Sequence, residues 1–226
     1  MQNDSSVTGV KSSPYDILDE IQAYDGLGRA YGEKQLHKVP DAPVVNRRQF
    51  VIERCTGKVV LDIGCASGEL HAQLLPVVKQ IYGIDKDSMA GPNYAQFDLD
   101  ELGAPPVLPF VDRGIELIVC GETLEHLSNP GWLLNRIATS FPSAELLITV
   151  PNAFSRAGAS WLARGVENVN RDHVAWYSYH TLKVLAERYG FAVKESFWYG
   201  GEPLMAEGLI FSCRLANDKV RESQPG

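Results

Sequence analysis

The residues of this chain best placed to do chemistry are four carboxylates, each just behind or within an apolar run. Asp62 follows Val59-Val60-Leu61. Asp85 ends Gln80-Ile81-Tyr82-Gly83-Ile84, Asp98 ends Tyr94-Ala95-Gln96-Phe97, and Glu122 closes Ile115 to Gly121. A buried parallel strand reads as a near-continuous apolar run. Open α/β sheets bind ligands at the carboxyl ends of such strands. A carboxylate there can meet an ammonium group or a pair of ribose hydroxyls. Behind Asp62, Gly64 and Gly68 let the backbone turn sharply and approach a ligand closely. Two histidines add proton chemistry, since imidazole is the natural base at neutral pH. His126 sits in Glu122-Thr123-Leu124-Glu125-His126-Leu127 and His173 in Arg171-Asp172-His173-Val174. The plain alternative is structural: solvated loop acids, and histidines that brace neighbouring loops.

The segment Leu61-Asp62-Ile63-Gly64-Cys65-Ala66-Ser67-Gly68 resembles the first motif of the class I S-adenosylmethionine (SAM) dependent methyltransferases, with Ala66 where that family usually has glycine. The Gly-x-Gly-x-x-Gly spacing of an NAD site is absent. Asp85 stands where doubly wound folds place the acid that holds both ribose hydroxyls. The resemblance implies SAM as cofactor. It carries Asp62 to the methionine ammonium, Gly64 and Gly68 to the cofactor's close approach, Asp98 with the adjoining Leu99 to the adenine, and Glu122 to the cofactor side of the site. The Glu-His-Leu of Glu125-His126-Leu127 and the Asp-His-Val of Asp172-His173-Val174 are similar to segments of many small-molecule methyltransferases. His126 and His173 are therefore the candidate catalytic residues, for positioning the acceptor or removing its proton. No metal ligand is assigned in this reading.

These residues need an α/β frame to hold them: a doubly wound, mostly parallel, seven-stranded sheet of Rossmann-like methyltransferase topology. Strands are predicted at Val59–Ile63, Gln80–Ile84, Tyr94–Asp98, Ile115–Glu122 and Leu146–Val150. Two more strands follow at Phe191–Tyr199 and Leu209–Leu215, and this tail resembles the antiparallel sixth and seventh strands of the class I methyltransferase sheet. Helices are predicted at Pro14–Gln22, Val44–Cys55, Glu69–Leu75, Pro130–Thr139 and from a Ser178 cap to Tyr189, with Gly190 as the stop. Lys86–Asn93 is too short for a crossover helix and predicts a turn. His37, His71 and His180 read as ordinary surface or helix residues. The domain layout expected is a disordered tail over 1–13, a helical cover over 14–57, a SAM-binding core over 58–216 with an insertion over 152–177, and a flexible end over 217–226.

The 226 residues suit one domain, and 45% hydrophobic with 22% charged residues is ordinary for a globular protein. A net charge of −7 opposes a general nucleic-acid surface. Cys55, Cys65, Cys120 and Cys213 are scattered without a C-x-x-C, which predicts free thiols in a reducing cytoplasm rather than disulfides or zinc. No apolar stretch reaches membrane-spanning length, and Met1–Ser13 lacks the apolar core of a signal peptide. The function expected is SAM-dependent methyl transfer to oxygen or nitrogen of a small biosynthetic acceptor, with a sugar or glycosylated metabolite fitting best.

Two further readings stay open. Glu122, Glu125, His126 and His173 resemble the Glu-x-x-Glu-His plus His set that binds a divalent ion in small-RNA 2′-O-methyltransferases. A methyltransferase-like chain without catalysis, acting as a binding or partner subunit, is the other. The acceptor, the oligomeric state and the identity of the base are not encoded in these motifs.

Overall fold

The computed structural model describes residues 39–65, 69–88, 90–101 and 105–216. The expectations for 1–38, for 217–226 and for Gly68 lie outside them. In chain order the elements are β1 (Val44–Val45), α1 (Arg47–Cys55), β2 (Val59–Ile63), α2 (Glu69–Leu74), β3 (Gln80–Asp85), β4 (Tyr94–Gln96) and β5 (Leu117–Gly121). A 3₁₀ turn (Leu124–His126) is followed by α3 (Pro130–Ser140), β6 (Glu145–Pro151), α4 (Arg156–Leu162), α5 (Tyr179–Arg188), β7 (Phe191–Tyr199) and β8 (Gly208–Leu215).

One sheet carries the order β1-β7-β8-β6-β5-β2-β3-β4. β4, β3, β2, β5 and β6 run parallel, and β8 is antiparallel to both β6 and β7. Among the described residues the sheet has eight strands rather than the seven expected. The extra strand comes from Val44 and Val45, which extend parallel to Trp198 and Tyr199 instead of starting the helix. The helix begins only after Asn46, whose side chain accepts from the Gln49 N–H as an N-cap. The third predicted strand also ends early, so Asp98 lies past β4 in a loop. Ser178 caps α5 in a reciprocal capping box with Thr181, and Gly190 follows with φ +85.

Period-two alternation sorts the sheet into two faces. Leu61, Ile63, Ile118, Cys120, Leu146 and Ile148 pack with Leu133, Leu134 and Ile137 of α3 and Leu182 and Ala186 of α5. Val60, Leu117, Val119 and Leu147 pack on the other face with Val51 and Cys55 of α1 and Leu74 of α2. Asp62 shares the face of Val60, and so it points toward α1 and α2. The chain leaves β2 toward β3 and β4, then returns to place β5 on the other side of β2. That reversal opens a crevice at the carboxyl ends of β2 and β5, where doubly wound sheets bind ligands.

All four cysteines are free and buried. No helix among the described residues is long and apolar enough to cross a membrane.

Candidate active site

The crevice at the strand reversal is lined by Asp62 of β2 with Gly64 and Cys65 behind it, by Gly121 at the end of β5 with Glu122 behind it, and by Thr149 of β6. Arg47 and Arg48 of α1 and Glu69 and Leu70 of α2 close its sides. Gly64 has φ +75, and a Cβ there would stand 2.5 Å from Thr123 Oγ1. Thr123 is buried, with its hydroxyl 3.1 Å from the carbonyls of both Ile63 and Gly121. Only glycine suits both this backbone conformation and this neighbour.

Glu122 has φ +51, an uncommon conformation for a residue with a side chain. Its carboxylate offsets the strain. Thr149 Oγ1 and Tyr199 Oη each donate to Oε1 at 2.8 Å, and Arg47 Nη1 approaches the same oxygen at 3.0 Å. Tyr199 reaches it because Gly208, its cross-strand partner, has no side chain; a Cβ there would overlap the phenol ring. Arg47 also lies over the Tyr199 ring, 5.3 Å from its centroid.

Asp62 is buried inside β2, with Oδ2 3.1 Å from Nδ1 of His71. Of the two alternatives expected for His71, surface or helix, the structure bears out the helix and corrects the surface. Its relative exposure is 2%, and it forms the inner stripe of α2 with Leu74. Burial holds the Asp62 carboxyl above its usual range, against the pull of His71. Asp85, also buried, ends β3 and accepts from the Asp87 N–H through Oδ1. It is near enough to push the Asp62 carboxyl up further. Asp98 is exposed and accepts from the Asp100 N–H. Leu99 is a core residue whose carbonyl accepts from Arg136. The structure thus brings Asp62, Gly64 and Glu122 to one crevice, with Asp85 beside it. Asp98 and Leu99 lie beyond β4, outside the crevice lining.

The two histidines converge from distant parts of the chain. The 3₁₀ turn holds His126, and the Glu125 carbonyl accepts from the N–H groups of both Val174 and Ala175. Tyr177 adds a bond from its hydroxyl to the Leu124 carbonyl, and its backbone pairs with Asn152 at the end of β6. This stitching sets the His173 ring edge-on to the His126 ring, with centroids 4.6 Å apart. Ligand atoms of Glu125, His126 and His173 all lie within 4.8 Å of one another. Both Glu125 oxygens are buried without a hydrogen-bond partner. Its nearest imidazole, His173 Nε2, stands 4.0 Å away, beyond hydrogen-bond reach. Burial, then the charge of Glu122, pushes the Glu125 carboxyl up to about 8. Burial and then His126 lower the pKa of His173. Glu122 is not in this group, because its carboxylate is engaged by Arg47, Thr149 and Tyr199.

A second cavity, about 330 Å³, opens beside His173 and is lined among others by Asn152, Asn168, Asn170, Ser155 and Trp176. Nothing in the sequence marks His71, Thr149 and Tyr199 as part of a site. Only the i, i+3 spacing of His71 and Leu74 hints that the histidine faces inward.

A reversal crevice edged with strand-end carboxylates, over this strand order, is the architecture of the class I SAM-dependent methyltransferases. Residues 37–196 match the methyltransferase domain family, and the chain belongs to that family. The chain is 24% identical over 156 residues to a ubiquinone biosynthesis O-methyltransferase of Hahella chejuensis, a match covering 60% of this chain and 62% of that enzyme. The chain therefore spans under two thirds of that relative's length. Among solved structures it resembles the small RNA methyltransferase HEN1, with TM-score 0.59 and 15% identity, over 83% of this chain and 28% of that one. It also resembles an S-adenosylmethionine-dependent methyltransferase from Clostridium acetobutylicum, with TM-score 0.55 and 12% identity, over 91% and 100% of the two chains. At such identities these structural likenesses speak for the fold alone.

Proposed function

We propose that the chain methylates an oxygen or nitrogen of a small biosynthetic molecule. The observation that carries this reading is the adjacency of two features just past β5. Glu122 faces the reversal crevice, and His126, four residues on, meets His173 beside a separate cavity. One compartment suits the cofactor and the next suits an acceptor.

The donor set fits SAM. Asp62 and Glu122 offer negative charge to a ligand that carries an ammonium and a sulfonium, and Asp85 offers a carboxylate to its ribose. Asp62 faces the methionine ammonium, Gly64 and Gly68 admit the cofactor, Asp85 holds the ribose, and Asp98 with Leu99 borders the adenine. When bound, SAM supplies an electrophilic methyl group. The chain's own residues position the acceptor, exclude water and take its proton. His173 suits proton removal, because its lowered pKa leaves a ring nitrogen bare at neutral pH. His126 orients that ring and the acceptor beside it. Amide side chains and Trp176 in the second cavity suit a hydroxylated ring such as a sugar. The net charge of −7 and the relative's name in ubiquinone biosynthesis both support a small acceptor over a polyanion.

Calorimetric titration of SAM and S-adenosylhomocysteine into the purified protein tests this, with Asp85→Ala as control. Saturable binding that the substitution weakens is expected. A folded protein that binds neither ligand overturns the reading.

A second reading is favoured by one observation, the clustering of Glu125, His126 and His173 around unpartnered carboxylate oxygens. Two imidazoles and a carboxylate suit a divalent cation, which would hold and polarise an acceptor hydroxyl. An RNA 3′ end is the acceptor this would favour. Activity lost on chelation and restored by Mn²⁺ or Mg²⁺ establishes that reading, and activity indifferent to chelator ends it.

A further inference from the structure

We propose that His71 is a positioning residue for the cofactor's amino-acid end, acting through Asp62. This rests on the reading of the reversal crevice as the SAM site. His71 Nδ1 lies 3.1 Å from Asp62 Oδ2, with the two side chains 2% and 5% exposed. A carboxylate accepts, so Nδ1 carries the proton and donates. The opposite ring nitrogen, Nε2, is buried with no hydrogen-bond partner among the described residues. Among the described residues, Asp62 is thus the one hydrogen-bond partner of the His71 ring.

The pairing has a reason in the chemistry of a buried anion. A carboxylate this far from water takes up a proton unless donors or cations favour its charged form. The other titratable groups around Asp62 do not help. Asp85 of β3 repels it, while Cys65 of its own loop, Cys55 of α1, Cys120 of β5 and Tyr94 of β4 are thiols and a phenol whose pKa values are raised. Arg47 and Arg48, which line the same crevice, are engaged with Glu122 and Glu69. His71 is the neighbour that orients Asp62 and favours its charged form against the burial that opposes it. An ionised Asp62 is what a ligand ammonium in the crevice needs.

The test uses two ligands on the 226-residue chain. S-adenosylhomocysteine carries the ammonium, and 5′-methylthioadenosine shares its adenosine and thioether but lacks the amino-acid end. His71→Leu is expected to weaken S-adenosylhomocysteine by about tenfold or more, the scale of a lost bond to a charged group, and to leave methylthioadenosine unchanged. The loss of S-adenosylhomocysteine affinity on acidification should set in at higher pH in this variant, because Asp62 protonates more readily without its donor. His71→Asn, whose amide can still donate to Oδ2, should restore binding.

Equal weakening of both ligands by His71→Leu shows a merely structural role and overturns the proposal, as does no effect on either. Wild-type protein that binds neither ligand instead overturns the crevice reading on which the proposal stands. The ¹⁵N signals of the His71 ring in the wild type keep the test free of any folding defect. They should shift with S-adenosylhomocysteine and not with methylthioadenosine, and indifference to both overturns the proposal.

Discussion

His173 meets His126 edge-on, with ring centroids 4.6 Å apart and an interplanar angle of 87°. The contact exists because the Glu125 carbonyl binds the backbone just behind His173, at Val174 and Ala175. The same turn that presents His126 therefore also places His173. If the pair handles the acceptor, either ring can be removed without disturbing the cofactor crevice behind β2 and β5. His173→Ala is expected to lower kcat by about 10²-fold or more, the lower end of general-base effects, while S-adenosylhomocysteine binding stays unchanged. The acid limb of the wild-type rate profile should lie below the ordinary histidine value of 6.5. Unchanged kcat in the variant would remove His173 from the chemistry.

Glu125 makes a prediction about stability. Burial and Glu122 raise its pKa from 4.5 to about 8. Between those values the folded protein keeps a proton there that the unfolded chain releases. Stability is thus full below the unfolded value and falls as pH rises through the folded one, by up to about 1.4 kcal/mol per pH unit. Urea midpoints at about pH 6 and about pH 8, in buffer with chelator, should fall with pH in the wild type. The fall should be shallower in Glu125→Gln. Parallel slopes in the two proteins would sink the prediction.

The crevice half of the site was legible because strands announce themselves. Val59–Ile63 and Leu117–Gly121 are buried along nearly their whole length, so their apolar runs gave both the elements and the acids that end them. The helix α1 was legible, but the valines before Asn46 read as part of it. Their extended pairing with Trp198 and Tyr199 depends on an edge that the distant β7 supplies. The histidine pairing was hidden for a similar reason, since the bonds from Val174 and Ala175 to Glu125 join distant segments and leave no local pattern. The helical place of His71 is legible but its inward face is not, because α2, Glu69–Leu74, is too short for an inner stripe to stand out. Tyr199 was invisible as a site residue, because its reach to Glu122 depends on a glycine in the facing strand.

Gly64 offers a stability test in which the neighbour is known. Gly64→Ala places a Cβ 2.5 Å from Thr123 Oγ1 and 3.0 Å from its Cγ2, at φ +75. The backbone conformation alone costs about 1 to 2 kcal/mol, and overpacking adds to it. The variant should lose about 2 kcal/mol or more in urea denaturation. Adding Thr123→Ala removes the clashing atoms and should recover part of the loss, though the backbone cost stays. A double variant no better than the single one would show that the clash contributes nothing.

Glu122 separates a structural role from a cofactor role through one ratio. Its Oε1 is held by Thr149, Tyr199 and Arg47, so the carboxylate is fixed and partly neutralised before any ligand arrives. Glu122→Gln keeps the shape and an acceptor oxygen but removes the charge. Losing the Arg47 pair, which is partly exposed, should cost no more than about 1 kcal/mol of stability. SAM carries a sulfonium charge that S-adenosylhomocysteine lacks. If Glu122 faces that charge, the substitution should weaken SAM several-fold more than S-adenosylhomocysteine, as expected for an anion removed from beside a partly desolvated cation. Tyr199→Phe leaves the charge in place and serves as the control. It should cost about 1 kcal/mol of stability through the lost hydroxyl bond and leave the ratio of the two affinities unchanged. Equal weakening of both ligands by Glu122→Gln would confine this residue to bracing the turn after β5, and the negative charge that SAM meets would then rest with Asp62.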